Sequence, residues 1–529
     1  MRNWPESLGI GGIGLVALLV LSGCAPLLKL DTERVPSYAT SHHADSPLKA
    51  QVAAHVPAGE SGFHLLEDGH AALAARLTLA RHATRTLDVQ YYLFHNDTTG
   101  NLVAASLLEA AGRGVRVRLL IDDIDTADKE VGLATLNTHP NIEVRLFNPF
   151  HARSTNPLVK GWQALRDSVR LNRRMHNKAF IADNQLGITG GRNIGDEYFG
   201  ANLEFGFVDL DVLAAGAIVD RLSNAFDTYW NSDAVVPAAG LPVRVSAARL
   251  AKATALLQDF TVRQSASDYA RAIGAADPLP ALLAGQTPWH LARADLIVDP
   301  PDKVLMPSKH PSELLIGQLA GLWIDPKKRA LIVTPYFVPG VMGMAYFRYW
   351  KHTGVAIDIL TNAYAANDVP LVHAGYANYR IPLLETGVNL HELKPVAEPT
   401  GGRLRDLGSG SSRASLHAKT FVFDDEHLFI GTFNFDPRSA LLNTEMGLVI
   451  HSPELARQVT AIARDAMSPK RSFRPVLLFE KTEKAVTKRL QWHDLYQGEE
   501  RIFEVEPETT PIQRGLLKVL QSLPIEKHL

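Results

Sequence analysis

The sequence predicts an α/β protein assembled from two similar halves, each a mostly parallel sheet flanked by helices. Two observations lead to this fold class. A strand, helix, strand succession occurs twice along the chain, and both copies stand at nearly the same distance before a shared polar motif. A duplicated half is the simplest explanation for such a repeat. With 529 residues, of which 46% are apolar and 21% charged, the chain is long enough to bury two packed cores.

The first copy begins at residues 86–94, an apolar stretch rich in β-branched and aromatic side chains that has strand character. Residues 102–111 show helical spacing, and Gly112 and Gly114 mark the end of that helix. Residues 115–121 form an apolar run typical of a buried strand. This order favours parallel strands covered by a helix.

The second copy repeats the order, with its predicted strand, helix and strand at residues 330–337, 344–351 and 355–360. The spacing also repeats. Gly114 precedes His176 by 62 residues, and Gly354 precedes His417 by 63. Similar spacing in two places indicates that the two copies are related units.

Each copy leads to a His-x-Lys-x-x-x-x-Asp motif, once from His176 to Asp183 and once from His417 to Asp424. A Gly-x-x-Asn segment follows each motif and ends at Asn193 or Asn434, 17 residues after the histidine in both cases. One such motif alone is a weak signal, but two copies with a shared spacing are a strong one. The competing interpretation is a pair of ordinary strand-turn-strand segments with polar surface residues.

The motif residues suit reaction at a phosphate. Residues i and i+2 of a strand point to one face, so His176 projects with Lys178 and His417 projects with Lys419. The lysines supply the positive charge that a metal would otherwise provide. Neither half has two histidines or cysteines at ligand spacing, so the sequence predicts no metal and no cofactor.

Two pairs of acidic residues would support this chemistry. Asp183 and Asp424 each precede a second polar residue and are predicted to be mainly structural, bonding turn amides and organising the loop that presents the asparagine. Asp209 and Glu445 occupy matching positions after the two motifs. They are candidates for the carboxylate that fixes the tautomer of a reactive histidine. The alternative is that they are surface or turn acids.

At these residues the chain resembles the phospholipase D superfamily. Within it, four segments are similar to the cardiolipin synthase C group, at residues 172–178, 431–439, 442–447 and 523–526. The resemblance implies two α/β halves about a pseudo-twofold axis, with both motifs in one site. It also implies a covalent phosphohistidine at His176, with His417 as the acid. Lys178, Lys419, Asn193 and Asn434 would then hold the non-bridging oxygens.

The function that this resemblance implies is a phosphatidyl transferase that makes cardiolipin from glycerophospholipids. Phosphatidylglycerol, phosphatidylethanolamine and the membrane surface are the expected partners. The alternatives are a phospholipase D that transfers the phosphatidyl group to water, a nuclease of the same superfamily, and an inactive lipoprotein that binds phospholipid. A net charge of −2 lends no support to a nucleic-acid partner.

The N-terminal residues predict export and a lipid anchor. Residues 8–21 form an apolar run that is too short to span a bilayer but suits a signal peptide. The run ends in a segment from Leu21 to Cys24 that resembles the bacterial lipobox, in which the cysteine carries the lipid. A plain N-terminal anchor is the alternative. Since Cys24 is the only cysteine, no internal disulfide is possible. We expect a membrane-anchored bacterial lipoprotein that faces the periplasm.

Composition and spacing also suggest domain boundaries. The region between the halves is rich in Ala, Leu and Pro, which favours a partly helical connection. The C-terminal tail has no recognisable chemistry. We predict a signal peptide at 1–23, a tether at 24–62, the first half at 63–234, a connecting region at 235–315, the second half at 316–471 and a tail at 472–529.

Overall fold

The fold is known from a computed structural model, which describes residues 28, 32–41, 45–151, 153, 167–305, 310–322, 324–395, 413–481 and 486–523. The proposed lipobox with Cys24, and residues 524–526 of the similar C-terminal segment, lie outside the described residues. No helix within the described ranges is both long and apolar enough to cross a bilayer.

The strands form two large sheets and one short seam between them. The first ten strands are β1 (Ser61–Leu66), β2 (Thr86–Tyr91), β3 (Arg116–Asp122), β4 (Ile142–Phe147), β5 (Ala179–Ala182), β6 (Leu186–Gly190), β7 (Phe205–Val208), β8 (Asp211–Gly216), β9 (Val235–Pro237) and β10 (His290–Leu291). The others are β11 (Arg293–Val298), β12 (Arg329–Val333), β13 (Ala356–Asn362), β14 (Asn389–Leu393), β15 (Arg413–Leu416), β16 (Thr420–Phe423), β17 (His427–Gly431), β18 (Met446–His451), β19 (Ser472–Lys481), β20 (Val486–Tyr496) and β21 (Glu499–Phe503).

Helices flank both sheets. Those up to the connecting region are α1 (Pro47–Ala53), α2 (Gly69–His82), α3 (Thr98–Gly112), α4 (Glu130–Leu136), α5 (Ser168–Leu171), α6 (Ala217–Trp230), α7 (Ala247–Ser265), α8 (Asp268–Ala276) and α9 (Leu279–Leu283). The remainder are α10 (Leu315–Gly321), α11 (Gly340–His352), α12 (Pro370–Thr386), α13 (Pro437–Leu441), α14 (Pro453–Ala466) and α15 (Pro511–Gln521). Two of these helices, α6 and α14, pack in the apolar cluster between the halves.

The two halves share one topology, which confirms the predicted duplicated α/β fold. The first sheet contains the order β1-β8-β6-β5-β2-β3-β4, and the second contains β11-β18-β17-β16-β12-β13-β14. Each strand of one list has its counterpart at the same place in the other. The helix α3 between β2 and β3 therefore corresponds to α11 between β12 and β13.

The expectation of mostly parallel sheets is wrong. In the two large sheets, as far as the structure describes them, only β2-β3-β4 and β12-β13-β14 run parallel, and the other pairings are antiparallel. The motif strands are the reason. Asp183 and Asn184 adopt φ values of 52° and 53°, and Asp424 and Asp425 both adopt 56°. Two consecutive left-handed residues make a tight hairpin turn. The motif strands β5 and β16 are therefore each followed by an antiparallel neighbour, β6 and β17.

The predicted repeat units are confirmed, with shifted ends. The first helix begins four residues before its apolar pattern, because the Asp97 side chain accepts a hydrogen bond from the Gly100 amide and caps it. The predicted connecting region, 235–315, contains the helices α7, α8 and α9. Its flanking strands are shared between the halves, since β9 and β10 join the first sheet and β11 joins the second.

A single apolar cluster lies between the two sheets. It contains Ile181 and Phe226 from the first half and Val422 and Leu448 from the second. Because these side chains bury one another, the halves are held at a fixed relative position. The motif strands that carry Ile181 and Val422 therefore lie against each other's half rather than against solvent.

The C-terminal tail extends the second half. β19 pairs with β14, and β20 and β21 complete the edge of that sheet. Behind it, Arg380 of α12 is buried between the carboxylates of Glu392 and Glu506. His373 Nε2 is 3.0 Å from Glu506 Oε1. The tail is thus bound to the second half by a buried ionic network as well as by strand pairing.

Candidate active site

The two motif histidines lie on equivalent seams between the halves. β15 pairs in parallel with β7, and Leu416 faces Val208 at the end of this seam. Met175 pairs in parallel with Thr444 in the other seam. In both, the residue after the last pair is a motif histidine on one chain segment and a candidate carboxylate on the other. The local pairing therefore brings a histidine of one half to the acid of the other.

Each histidine binds the carboxylate of the opposite half. His176 Nδ1 is 2.8 Å from Glu445 Oε2, and His417 Nδ1 is 2.6 Å from Asp209 Oδ2. Sequence matching had placed Asp209 beside the first motif and Glu445 beside the second, without indicating this crossed arrangement. A carboxylate at Nδ1 fixes the tautomer with the proton on that nitrogen, which leaves Nε2 as the reactive atom.

The motif lysines are buried beside the histidines. Lys178 Nζ donates to the carbonyl oxygen of His176 at 2.6 Å, and Lys419 Nζ donates to that of His417. Burial lowers the pKa of Lys178 to about 7 and that of Lys419 to about 8. A buried ammonium group without a neighbouring anion is unfavourable. A phosphodiester anion that binds beside Lys178 and Lys419 would therefore stabilise their charged forms.

Both histidines are held neutral in this environment. Burial, followed by the charges of Lys178 and Lys419, lowers the pKa of His176 well below its ordinary value. Burial and Lys419 lower the pKa of His417 to about 4, against the opposing effect of Asp209. Since each lysine acts on both histidines, the four groups share one site. An entering phosphate anion would offset the lysine charges and raise the pKa of both histidines.

The two carboxylates are not equivalent. Burial disfavours the ionised form of Asp209, but its contact with His417 outweighs burial and lowers the pKa of this aspartate to about 2. Burial raises the pKa of Glu445 to about 7, although Lys178 and a hydrogen bond from the Thr432 hydroxyl oppose that rise. The structure therefore distinguishes the two half-sites chemically, even though their backbones correspond.

The asparagines occupy different environments. Asn193 Oδ1 accepts a hydrogen bond from the Leu93 amide at 3.2 Å, and Asn193 Nδ2 donates to the Tyr198 hydroxyl at 2.9 Å. Asn434 Oδ1 is buried without a hydrogen-bond partner in the described structure. The Asn193 amide thus orients a tyrosine whose ring centre lies 5.2 Å from that of His417.

The motif aspartates lie at the far end of the motif strands from the histidines. Asp183 accepts hydrogen bonds from the amides of residues 84–86 and from the Thr84 hydroxyl. Asp424 accepts from the amides of residues 327–329. These amides begin β2 and β12, so the partners are not the turn amides that the sequence suggested. The left-handed turn points each carboxylate back toward the neighbouring antiparallel strand.

Sequence reasoning missed the aromatic wall of the site. The ring of Tyr92 lies 5.2 Å from that of His176, and Phe207 lies 4.8 Å from His417. It also missed Thr432, whose carbonyl oxygen is 3.1 Å from His176 Nδ1. The position of Thr432 inside the Gly-x-x-Asn segment is a signal that could have found it. The aromatic residues carry no comparable pattern.

Within the described residues, one group of side chains has the arrangement of a metal site, formed by His95, Asp97 and Glu197. It contains none of the motif residues. His95 already lies 3.2 Å from Glu197 and 3.5 Å from Asp125, and the bond with Glu197 raises its pKa. This group is therefore explained as an ion-paired histidine.

Fold and site together define a phospholipase D-like enzyme, with two histidine, lysine and carboxylate sets joined in one buried centre. The family described as "Cardiolipin synthase, PLD-like domain" matches residues 77–230 and 324–466. The chain is 42% identical to cardiolipin synthase C of Escherichia coli K12 over 469 residues, which cover 88% of this chain and 96% of that relative. The chain therefore belongs to the cardiolipin synthase family of phospholipase D-like enzymes.

Two further proteins are similar to this chain. An uncharacterized protein of Helicobacter pylori strain 26695 is 34% identical over 404 residues, covering 76% of this chain and 78% of its own length. The crystal structure of phosphatidylserine synthase from Haemophilus influenzae aligns over 97% of this chain and 98% of its own, with a TM-score of 0.56 and 13% identity. At that identity the second likeness concerns the fold alone.

Proposed function

We propose that this chain is a phosphatidyl transferase that forms cardiolipin from two glycerophospholipids. The observation that carries the proposal is the crossed pair of histidines, each with its own carboxylate, beside two buried lysines. Such a centre can hold one phosphate anion and supply both a nucleophile and an acid. The relationship to cardiolipin synthase C supports a phospholipid as the substrate.

In the first step, His176 Nε2 attacks the phosphorus of the donor lipid and forms a phosphorus–nitrogen bond. The bond between phosphorus and the head-group oxygen breaks, and His417 Nε2 gives its proton to the departing oxygen. Binding of the phosphodiester anion beside Lys178 and Lys419 raises the pKa of His417 and so allows it to carry that proton. The products are a phosphatidyl-histidine and a free alcohol.

In the second step, a hydroxyl of phosphatidylglycerol gives its proton to His417 and its oxygen attacks phosphorus. The bond to His176 breaks, and cardiolipin is released. Water in place of the lipid alcohol would give phosphatidic acid through the same intermediate. Lys178, Lys419 and the Nδ2 group of Asn434 are the donors that would stabilise the non-bridging oxygens.

Product analysis with purified protein tests the proposal. Labelled phosphatidylglycerol and phosphatidylethanolamine are supplied together, and we expect labelled cardiolipin. Phosphatidic acid as the main product would instead indicate a phospholipase D. The matched variant His176→Ala should bind vesicles as the native chain does but turn over no lipid. Equal turnover by this variant would contradict the role of His176.

We also propose that the chain is anchored as a lipoprotein through Cys24 and faces the periplasm. The support is the apolar run at 8–21 and the lipobox-like segment that follows it. Cys24→Ser should abolish processing and lipid attachment while the folded body stays active on detergent-dispersed lipid. A mature N-terminus at another residue would contradict this anchor.

A further inference from the structure

The first turn of helix α11 exposes aliphatic side chains on the side that faces away from the core. Met344 and Phe347 point into the core, as expected for a covering helix. On the other side, Val341 is 82% exposed and Met342 is 70% exposed. Large aliphatic side chains exposed side by side on one helical turn often mark a site that contacts a partner or a membrane. The outer face of α11 therefore indicates a contact surface.

This surface lies beside the end of the second sheet that carries the motif residues, which we infer to be the side where substrate enters and call the opening of the site. α11 begins after the carboxyl end of β12, which is the end of the sheet where the reactive groups stand. Its first turn packs on Phe435, the residue after Asn434, since a Cβ on Gly343 would approach that ring to 3.0 Å. The next helix after Asn434 is α13, and its last residue, Leu441, is 61% exposed. Exposed aliphatic side chains thus stand on two adjacent elements of the opening.

The corresponding elements of the first half are polar. α3 takes the place of α11 and starts with Thr98 and Thr99 behind the Asp97 cap. Beside it, His95 lies between Glu197 and Asp125. Thr99 is buried, and the partly exposed side chains at this position in the first half are those of Asp97, Thr98 and Asn101. The fold does not require aliphatic residues there, so those of the second half need a separate explanation.

The charge around α11 fits an anionic lipid surface. From Thr334 to Thr353 the sequence contains Arg348 and Lys351 and no acidic residue. The acidic side chain of Asp325 contacts the far end of the helix, where it accepts a hydrogen bond from Trp350 and is paired with Lys327. Tyr346 and Tyr349 are exposed on the same helix. Tyrosine and arginine beside aliphatic residues are typical of segments that lie in the boundary between lipid head groups and acyl chains. A protein partner on this face would cover the opening through which a lipid must enter.

We propose that the first turn of α11 and the end of α13 insert into the lipid layer, with Val341, Met342 and Leu441 below the head groups. This orientation turns the opening of the site toward the membrane and leaves the charged rim of the first half among the head groups. The proposal deepens the proposed function, because it assumes that the substrate enters from a lipid layer.

Depth measurements on the full chain test the insertion. The variant Met342→Cys is labelled with a polarity-sensitive fluorophore and reconstituted in vesicles of phosphatidylethanolamine and phosphatidylglycerol. The matched control is Val262→Cys on α7, where the native side chain is also 70% exposed. α7 lies beside the C-terminal end of α3, where residues of α7 line a cleft together with Glu109 and Arg113 of that region. The unsubstituted chain, with its single cysteine, is the labelling blank.

Lipids with a nitroxide on the acyl chain should quench the label at 342 and leave the label at 262 unchanged. Equal quenching at both positions, or none at 342, would overturn the proposal. Quenching of the 342 label by a second labelled copy, together with self-association in detergent, would identify a protein contact and also overturn it.

Measurements of lipid turnover distinguish membrane docking from the catalytic reaction. The double substitution Val341→Ser and Met342→Ser should lower kcat/KM on vesicles about tenfold or more, because two aliphatic side chains no longer enter the lipid. Turnover of dispersed short-chain phosphatidylglycerol should stay unchanged. The control pair Leu256→Ser and Val262→Ser should leave both activities unchanged. Equal loss on both substrates would contradict docking. A native chain that turns over neither substrate would refute the proposed function. The depth measurement would still show whether the chain inserts into the lipid layer.

Discussion

Replacing Asp209 by Asn tests the crossed arrangement of the site. The Asp209 carboxylate accepts from His417 Nδ1 at 2.6 Å, and its other oxygen accepts from the Leu210 amide at 2.8 Å. In the Asn variant, the amide oxygen retains the bond to Leu210, and the amide nitrogen faces His417. The imidazole must then carry its proton on Nε2, which is the wrong tautomer for accepting a proton from the incoming alcohol. From comparable substitutions we expect a fall in kcat of roughly 100- to 10,000-fold.

The assay that discriminates is trapping of the covalent adduct. With an activated phosphodiester, whose leaving group needs no proton, the Asp209→Asn protein should still form an adduct on His176 and retain it. The reciprocal variant Glu445→Gln should form none, because His176 would then carry its proton on the attacking nitrogen. Mass spectrometry of quenched samples locates the adduct. The opposite result, with no adduct in Asp209→Asn and a stable one in Glu445→Gln, would refute the pairing across halves.

Three further outcomes are expected. A soluble phosphodiester should bind more weakly as pH rises from about 7 to about 9. The pKa values of Lys178 and Lys419 are lowered to about 7 and about 8, so both lysines lose their positive charge in that window. Calorimetry at constant ionic strength measures the change, and a constant Kd would contradict it. Activity should persist after exhaustive chelation, and activity that returns only on adding a divalent ion would exclude the lysine-based site. Glu506→Gln should lower the free energy of unfolding by about 3–5 kcal/mol in a denaturant titration, since Arg380 loses a buried partner, whereas the exposed control Glu499→Gln should change it little.

The repeat units and the two motifs could be predicted because local patterns determine them. The apolar runs that became β2, β3, β12 and β13, and the histidine-to-asparagine spacing, are visible within short windows. Strand direction was not visible, because a period of two is the same in parallel and antiparallel strands. The turn at Asp183 reverses the chain through left-handed residues, and only the dihedral angles reveal that reversal.

Long-range contacts limited the prediction of the site. The sequence identified Asp209 and Glu445 as candidate partners, but their bonds to His417 and His176 cross 208 and 269 residues. No spacing rule connects positions so far apart. The C-terminal strands gave no signal for a similar reason. Their contribution depends on pairing with β14 and on the buried ion pair of Glu506. No local sequence motif predicts either contact.

The crossed carboxylates also determine when the chain becomes active during its synthesis. The ribosome delivers His176 long before Glu445, so an unfinished chain has no acid to fix the tautomer of that histidine. Asp209 is likewise synthesised before His417, the histidine that it binds. A truncated product that ends before the second half therefore lacks one partner of each histidine–carboxylate pair. The two pairs can form only after both halves have been made and have packed against each other.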